Sequence, residues 1–255
     1  MGMTGGLVSS NLPPKFQEVT FSQRLGEQLP MDATLTDEEG RSVRLGDYFD
    51  KKPVMLAFVY YQCPMLCPLV LNGISSSLKV VPFEVGKDFD VVVVSFDARD
   101  TYEAANAKKR AHLQHWAVTD TASGWHFLTG EEAEIRKVTQ AAGFTYQWDD
   151  TTQQFAHVSG VLVATPDGRL ARYFYGVEYS PKDLRLALVD SGEGRLGSVV
   201  DELLLYCFHY DPTSGRYGAV FMNIIRLGGV LTVLLVAGFV VLMRWREGRQ
   251  VAGHA

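Results

Sequence analysis

Cysteine is scarce in this chain: three in 255 residues, too few for a scaffold stapled by disulfides. Positive charge is not in excess either. The formal net charge is −5, and no basic stripe follows the course a phosphate backbone would need, so nucleic acid is not expected as a partner. Internal repeats and low-complexity tracts are missing, which leaves no case for a repeat architecture. The length allows one well-filled core with an appendage and is short for two ordinary domains.

Long apolar runs are also few, and one of them is distinctive. Leu227 to Met243 carries no charge over seventeen residues, close to the lower limit for a membrane span. It extends back to Ala219 with Arg226 as an interruption that can snorkel to the interface. A transmembrane helix is therefore expected over 219–243. Arg244, Arg246 and Arg249 follow at once, and the positive-inside rule places 244–255 in the cytoplasm as a short tail. The large N-terminal part then lies outside, on the periplasmic face of a bacterial cytoplasmic membrane. The first sixteen residues have no charged start and no apolar core of a signal peptide, so a signal is expected upstream or already removed.

Residues 1–28 are weakly patterned and read as a tail or linker. A strand pair is expected at 33–36 and 42–45 around the turn Asp37-Glu-Glu-Gly40. Pro53 to Tyr61 is an unbroken apolar run of strand length, suited to a central buried strand. Phe89 to Phe96 contains four successive valines, whose branched side chains favour the pleated state. A helix near 69–80 between these strands makes a βαβ unit. Thr101 caps a second helix reaching Trp116, and Thr129 with Glu132 forms a capping box for a third that Gly143 ends. Val158–Ala164 and Leu170–Tyr175 read as strands joined by the turn Thr165-Pro-Asp-Gly168. Ser180-Pro181 opens a fourth helix, and Leu196, Val199, Val200, Leu203 and Leu204 pattern a last amphipathic one. The result is an α/β domain over 29–210 with a mixed central sheet and flanking helices.

Cys63-Pro-Met-Leu-Cys67-Pro68 sits between the apolar strand and the first helix, where α/β sheets place ligands. Pro68 fits the first helical position. Cys67 then falls at the cap, where the helix dipole would lower its pKa. Three residues separate the cysteines, against two in a thioredoxin-type redox pair. Such a loop can close a disulfide or turn both sulfurs toward one ion, and thiolates are soft ligands that suit copper(I), zinc or iron–sulfur clusters. Two thiolates fall short of the four that structural zinc or a cluster takes. A histidine could complete a trigonal copper site. Of the six histidines, His157 precedes a strand in Phe155-Ala-His-Val-Ser-Gly160; spacing alone leaves an ordinary half-exposed loop histidine as the alternative. His112, His115 and His126 show no special neighbours. Asp97 and Asp100 either line the site or orient a ligand, or, as preferred, serve as helix-start capping and surface charge; Met65 is read as an exposed side chain rather than a soft thioether donor, and Cys207 as a buried structural cysteine rather than a metal partner of His209 two residues on.

Tyr60-Tyr-Gln-Cys-Pro-Met-Leu-Cys-Pro68, Ser95-Phe-Asp-Ala-Arg-Asp-Thr101 and Phe155-Ala-His157 followed by Thr165-Pro-Asp-Gly168 together resemble the Sco/SenC family of copper proteins, from about Phe21 to Asp190. The resemblance implies a thioredoxin-like fold, one copper ion, Cu(I) or Cu(II), and Cys63, Cys67 and His157 as its ligands. It implies a metallochaperone that helps assemble the CuA centre of cytochrome c oxidase. Its partners would be the oxidase subunit carrying CuA, an upstream copper donor and, through the C-terminal helix, the lipid bilayer. Many members carry acidic residues where Met65 and Leu69–Asn72 stand here, and many have an N-terminal anchor. A thiol–disulfide oxidoreductase using Cys63 and Cys67 is the alternative. A peroxiredoxin or glutathione-peroxidase reading lacks its motif.

Overall fold

The computed structural model describes residues 19–63 and 66–196, with 210–211, 216–217, 229, 232 and 236 beyond them. The chain divides into two compact units, Met1–Gly197 and Ser198–Ala255.

In the first unit, β1 (Thr34–Thr36) and β2 (Ser42–Arg44) form the expected antiparallel pair. The apolar runs become β3 (Val54–Val59) and β4 (Asp90–Ser95), both wholly buried. They pair in parallel, with Leu56 against Val92 and Phe58 against Val94. Helix α1 (Leu66–Leu78) connects them, as parallel neighbours require. Helix α2 (Tyr102–Trp116) leads to β5 (Trp125–Leu128), which adds to β4 in parallel. After α3 (Glu132–Ala141) comes a hairpin of β6 (Tyr146–Asp149) and β7 (Gln154–His157). β8 (Gly160–Ala164) then returns antiparallel to β3, and β9 (Leu170–Tyr175) pairs antiparallel with β8. The central sheet has the order β5-β4-β3-β8-β9. Helix α4 (Pro181–Gly192) packs on α1, β8 and β9. This is the mixed sheet with flanking helices of a thioredoxin-like fold.

The caps follow side-chain chemistry. Thr101 Oγ1 accepts from the Ala104 N–H, and Ser180 Oγ from the Asp183 N–H, with Pro181 at the first helical position. The expected capping box on α3 is not formed. Glu131 is the N-cap, and Thr129 instead joins a bridge to Thr36, their backbones exchanging N–H···O bonds of 2.8 and 2.9 Å. A tertiary strand contact thus claimed the residue that local pattern assigned to a cap. Gly143 ends α3 with φ +69°, and a Cβ there would lie 2.1 Å from the Ser22 carbonyl oxygen. Gly73, inside α1, has the same rigidity for another reason: a Cβ would meet the Val177 carbonyl oxygen at 1.9 Å, so the helix approaches the segment before α4 too closely for any side chain.

The domain takes in residues ahead of the expected start at 29. Phe21 is buried and bridges to Phe144, while Gln28 bridges to Arg169. β5 and the β6–β7 hairpin were not foreseen: both are short, and neither alternates cleanly.

In the second unit, Tyr210–Asp211 and Arg216–Tyr217 pair antiparallel. Gly229, Thr232 and Val236 are helical; the rest of the expected span over 219–243, the tail 244–255 and the amphipathic stretch after Leu196 lie outside the described residues. Among the described residues no helix is long and apolar enough to cross a membrane.

Candidate metal centre

The end of β3 delivers the site. After Val59 the chain turns, and the Cys63 N–H closes that turn on the Tyr60 carbonyl at 3.2 Å. Cys67 follows in the first turn of α1, so strand and helix bring the two thiols together. Both thiols are buried, and Cys63 is near enough to Cys67 to raise its pKa. The Tyr60 N–H donates to Cys67 Sγ at 3.4 Å.

The expected low pKa of Cys67 is overturned. The neighbouring Cys63 side chain, together with burial, holds the Cys67 thiol far above the ordinary range, against the Tyr60 N–H and the charge of Lys108. A helix N-terminus stabilises an anion by roughly 0.3–1 kcal/mol at an exposed position, and desolvation of a buried thiolate is the larger effect. Pro68 is not the first helical residue, since α1 already includes Leu66 and Cys67.

His157 is the last residue of β7, paired in register with Tyr146. Its imidazole is half-buried among Phe96, Phe144 and Tyr60, with ring centroids 5.0, 6.0 and 6.1 Å away. Nδ1 lies 3.2 Å from the Val158 carbonyl oxygen. A carbonyl only accepts, so Nδ1 carries the proton and Nε2 of the neutral ring has the lone pair, the tautomer suited to metal ligation. Tyr60 connects the histidine to the thiols. Its backbone N–H meets the Cys67 sulfur, and its ring packs edge-on against both Phe155 and His157. Among the described residues no three His, Cys, Asp or Glu side chains stand close enough to hold a metal ion. The histidine ring and the Cys67 sulfur share Tyr60 as a neighbour. The donor set itself, two soft sulfurs and one imidazole, fits copper.

The two aspartates are not surface charges. Asp100 Oδ2 accepts from the Tyr61 N–H and from Ser95 Oγ, both at 2.6 Å, and Oδ1 is buried with no hydrogen-bond partner. Burial pushes its carboxyl pKa up. Asp100 thereby anchors the backbone at the start of the cysteine loop, and the Tyr61 hydroxyl anchors it again by donating to the carbonyls of Leu128 and Val93 at 2.7 and 3.2 Å. Asp97 takes the Arg99 guanidinium through Nε and Nη2, each at 2.8 Å. Arg99 lies over the Trp148 ring, 4.4 Å from its centroid, and 5.4 Å from that of Phe155. The pair clamps the β6–β7 hairpin, and so His157, to the end of β4.

His112 also has partners after all: Ser75 Oγ at 2.9 Å from Nε2, and the Trp125 ring. Tyr60, Tyr61, Arg99 and Trp148 went unnoticed in the sequence. Only their adjacency to the cysteine and aspartate motifs could have flagged the first three. Met65, Cys207 and His209 lie outside the described residues.

A buried thiol pair at the junction of a central strand and the helix that follows it, in a thioredoxin-like fold, defines a thiol-based redox or metal-handling protein. The family model described as SCO1/SenC matches residues 22–189. The chain therefore belongs to the SCO1/SenC family. It is 25% identical over 153 residues to the SCO1 protein homolog of Bacillus subtilis, covering 59% of this chain and 75% of that one. Among solved structures, it resembles a putative electron transfer protein from Aquifex aeolicus at TM-score 0.59 and 26% identity, over 68% of this chain and 96% of that one. It also resembles Arabidopsis thaliana ScoI with copper bound at TM-score 0.51 and 18% identity, over 63% and 96%.

Proposed function

We propose that this protein is a copper chaperone tethered to the bacterial cytoplasmic membrane through 219–243, with its thioredoxin-like domain on the periplasmic side. It holds one copper ion through Cys63, Cys67 and His157 and passes it to the CuA centre of cytochrome c oxidase. What supports this reading is the pair of buried thiols where β3 passes into α1, with the Tyr60 N–H on the Cys67 sulfur and the Tyr60 ring against a histidine whose Nδ1 meets a backbone carbonyl. Each thiol gives up its proton as its sulfur binds the ion. Two sulfurs and one nitrogen leave copper under-coordinated, so a partner's thiolates can displace these donors one at a time.

The alternative, reduction of a partner disulfide, closes Cys63 and Cys67 into a disulfide while two electrons and two protons pass to the partner. That route needs an attacking thiolate from Cys63 or Cys67.

Titration of the full chain with Cu(I) under nitrogen tests the proposal. One equivalent is expected for the wild type and none for Cys63→Ser or Cys67→Ser. In His157→Ala, affinity should fall about tenfold or more, the range seen on losing even an outer-shell partner. Wild-type affinity in His157→Ala or Cys67→Ser would refute it, and unchanged disulfide reductase activity in His157→Ala would then favour the redox reading.

A further inference from the structure

Helix α1 ends on a face that is both apolar and cationic. Ser77 Oγ donates to the Tyr179 carbonyl at 2.6 Å, which holds the end of α1 against the start of α4. Just beyond, a groove of about 300 Å³ runs between Val80-Val81-Pro82 and the first turns of α4, where Pro181, Lys182, Arg185 and Leu186 line it. Val80 and Leu186 are 71% and 49% exposed. Lys182 and Arg185 are exposed as well, and the lining carries these two cations and no carboxylate. Lys79 adds a third positive charge beside Val80, its Nζ 4.6 Å from the centroid of the Trp116 ring.

Exposed aliphatic side chains gathered in one patch and rimmed by charge mark a contact surface. Aliphatics set among cations match a partner that is negative at its surface and apolar just beneath. An anionic bilayer has that layering: phosphates meet the Lys and Arg head groups, and hydrocarbon lies within reach of the aliphatics. It is also the partner nearest to hand. Only residues 197–218 separate the domain from the span expected over 219–243, and a short linker raises the effective concentration of whatever it joins.

We propose that the face formed by Val80, Pro82, Lys182, Arg185 and Leu186 rests on the anionic lipid headgroups of the membrane that anchors the chain. The proposal rests on the tethered reading above for the nearness of the bilayer, and on the groove itself for the chemistry of the contact. Cys67 stands at the other end of α1, about 16 Å from Leu78 at 1.5 Å per residue. Seating the C-terminal end of α1 on lipid leaves its N-terminal end, with the thiols, free for a partner protein.

The full chain, reconstituted from detergent into vesicles, tests this. One set is phosphatidylcholine alone; the other is equal parts phosphatidylcholine and phosphatidylglycerol. Flotation shows whether the chain is bound, and lysine acylation read by mass spectrometry shows what is covered. With phosphatidylglycerol present, Lys79 and Lys182 should react about fivefold more slowly, the factor expected for one cation at an anionic surface. Lys137, on α3 beside Asp32, should react equally in both sets. High salt should erase the difference. In the double variant Lys182→Glu, Arg185→Glu both changes are at exposed positions, so the fold should persist, which the thermal midpoint checks; Lys79 should then react equally in both sets. Equal wild-type rates in two sets that both float the chain overturn the contact and leave the tether standing. Slow rates in both sets and in detergent place a second copy or another protein on this face, and overturn it too. A chain that floats only with phosphatidylglycerol loses the tether and keeps the contact; one that floats with neither loses both.

Discussion

Protonation sets how single residues behave here. Burial and the neighbouring charges of His115 and Lys108 push the His112 pKa down to about 4, from an ordinary 6.5. In the unfolded chain this imidazole takes a proton near pH 6.5; in the folded chain it stays neutral to about pH 4. Between these values the unfolded state binds more protons, so stability falls as pH drops through that window and is fully present above it. The loss should be about 3 kcal/mol at most, at 1.36 kcal/mol per pKa unit. Urea unfolding at pH 7.5 and pH 4.5 measures it, and His112→Gln should flatten the slope. Cys67 behaves in the opposite sense to a catalytic thiolate: the neighbouring Cys63 and burial raise its pKa, so alkylation of the metal-free protein near pH 7 should be slow at this residue. Rapid labelling of Cys67, read by mass spectrometry, would contradict that.

At the scale of elements, the site depends on two close approaches. Helix α1 carries Cys67 and is pressed against the segment before α4 at Gly73. Gly73→Ala puts a methyl group into a backbone carbonyl, which cannot move like a side chain. A loss of at least the 1–3 kcal/mol roughly typical of overpacking is expected, read from the urea midpoint. The β6–β7 hairpin carries His157 and is held by Arg99. An exposed cation–π contact is worth about 0.5–1 kcal/mol and an exposed ion pair up to about 1. Arg99→Ala should therefore free the hairpin by about 1–2 kcal/mol, raising hydrogen exchange across 146–157 roughly fivefold to thirtyfold while β3 and β4 stay protected. Equal protection in wild type and variant would remove the clamp from the account.

For the whole molecule, the sheet and its helices close within Met1–Gly197. A chain cut after residue 197 is expected to unfold in one cooperative step at the wild-type midpoint, followed by circular dichroism. It should stay in the supernatant when membranes are sedimented, whereas the full chain should pellet. If both chains stay in solution, 219–243 does not anchor the protein.

Hydrophobic period and turn chemistry carry a long way along this chain. The valine run of β4, the apolar β3, the caps Thr101 and Ser180 and the Pro-Asp-Gly turn all mark their elements locally, because each depends on neighbours within a few residues. The cysteine motif, too, declared itself by position, between a buried strand and a helix. What only the tertiary structure decided is whatever depends on distant partners. Thr129 answers to Thr36, ninety-three residues away, instead of capping its own helix. Asp97 and Asp100 look like surface charge until Arg99 and the Tyr61 backbone are placed against them. The raised pKa of Cys67 follows from the neighbouring Cys63 and from burial, which no local pattern records, and it runs against the expectation drawn from the helix dipole. The sequence determined which residue types stand ready for a metal. Packing around Tyr60 decided what the thiol and the imidazole stand against, because its backbone meets Cys67 and its ring meets His157.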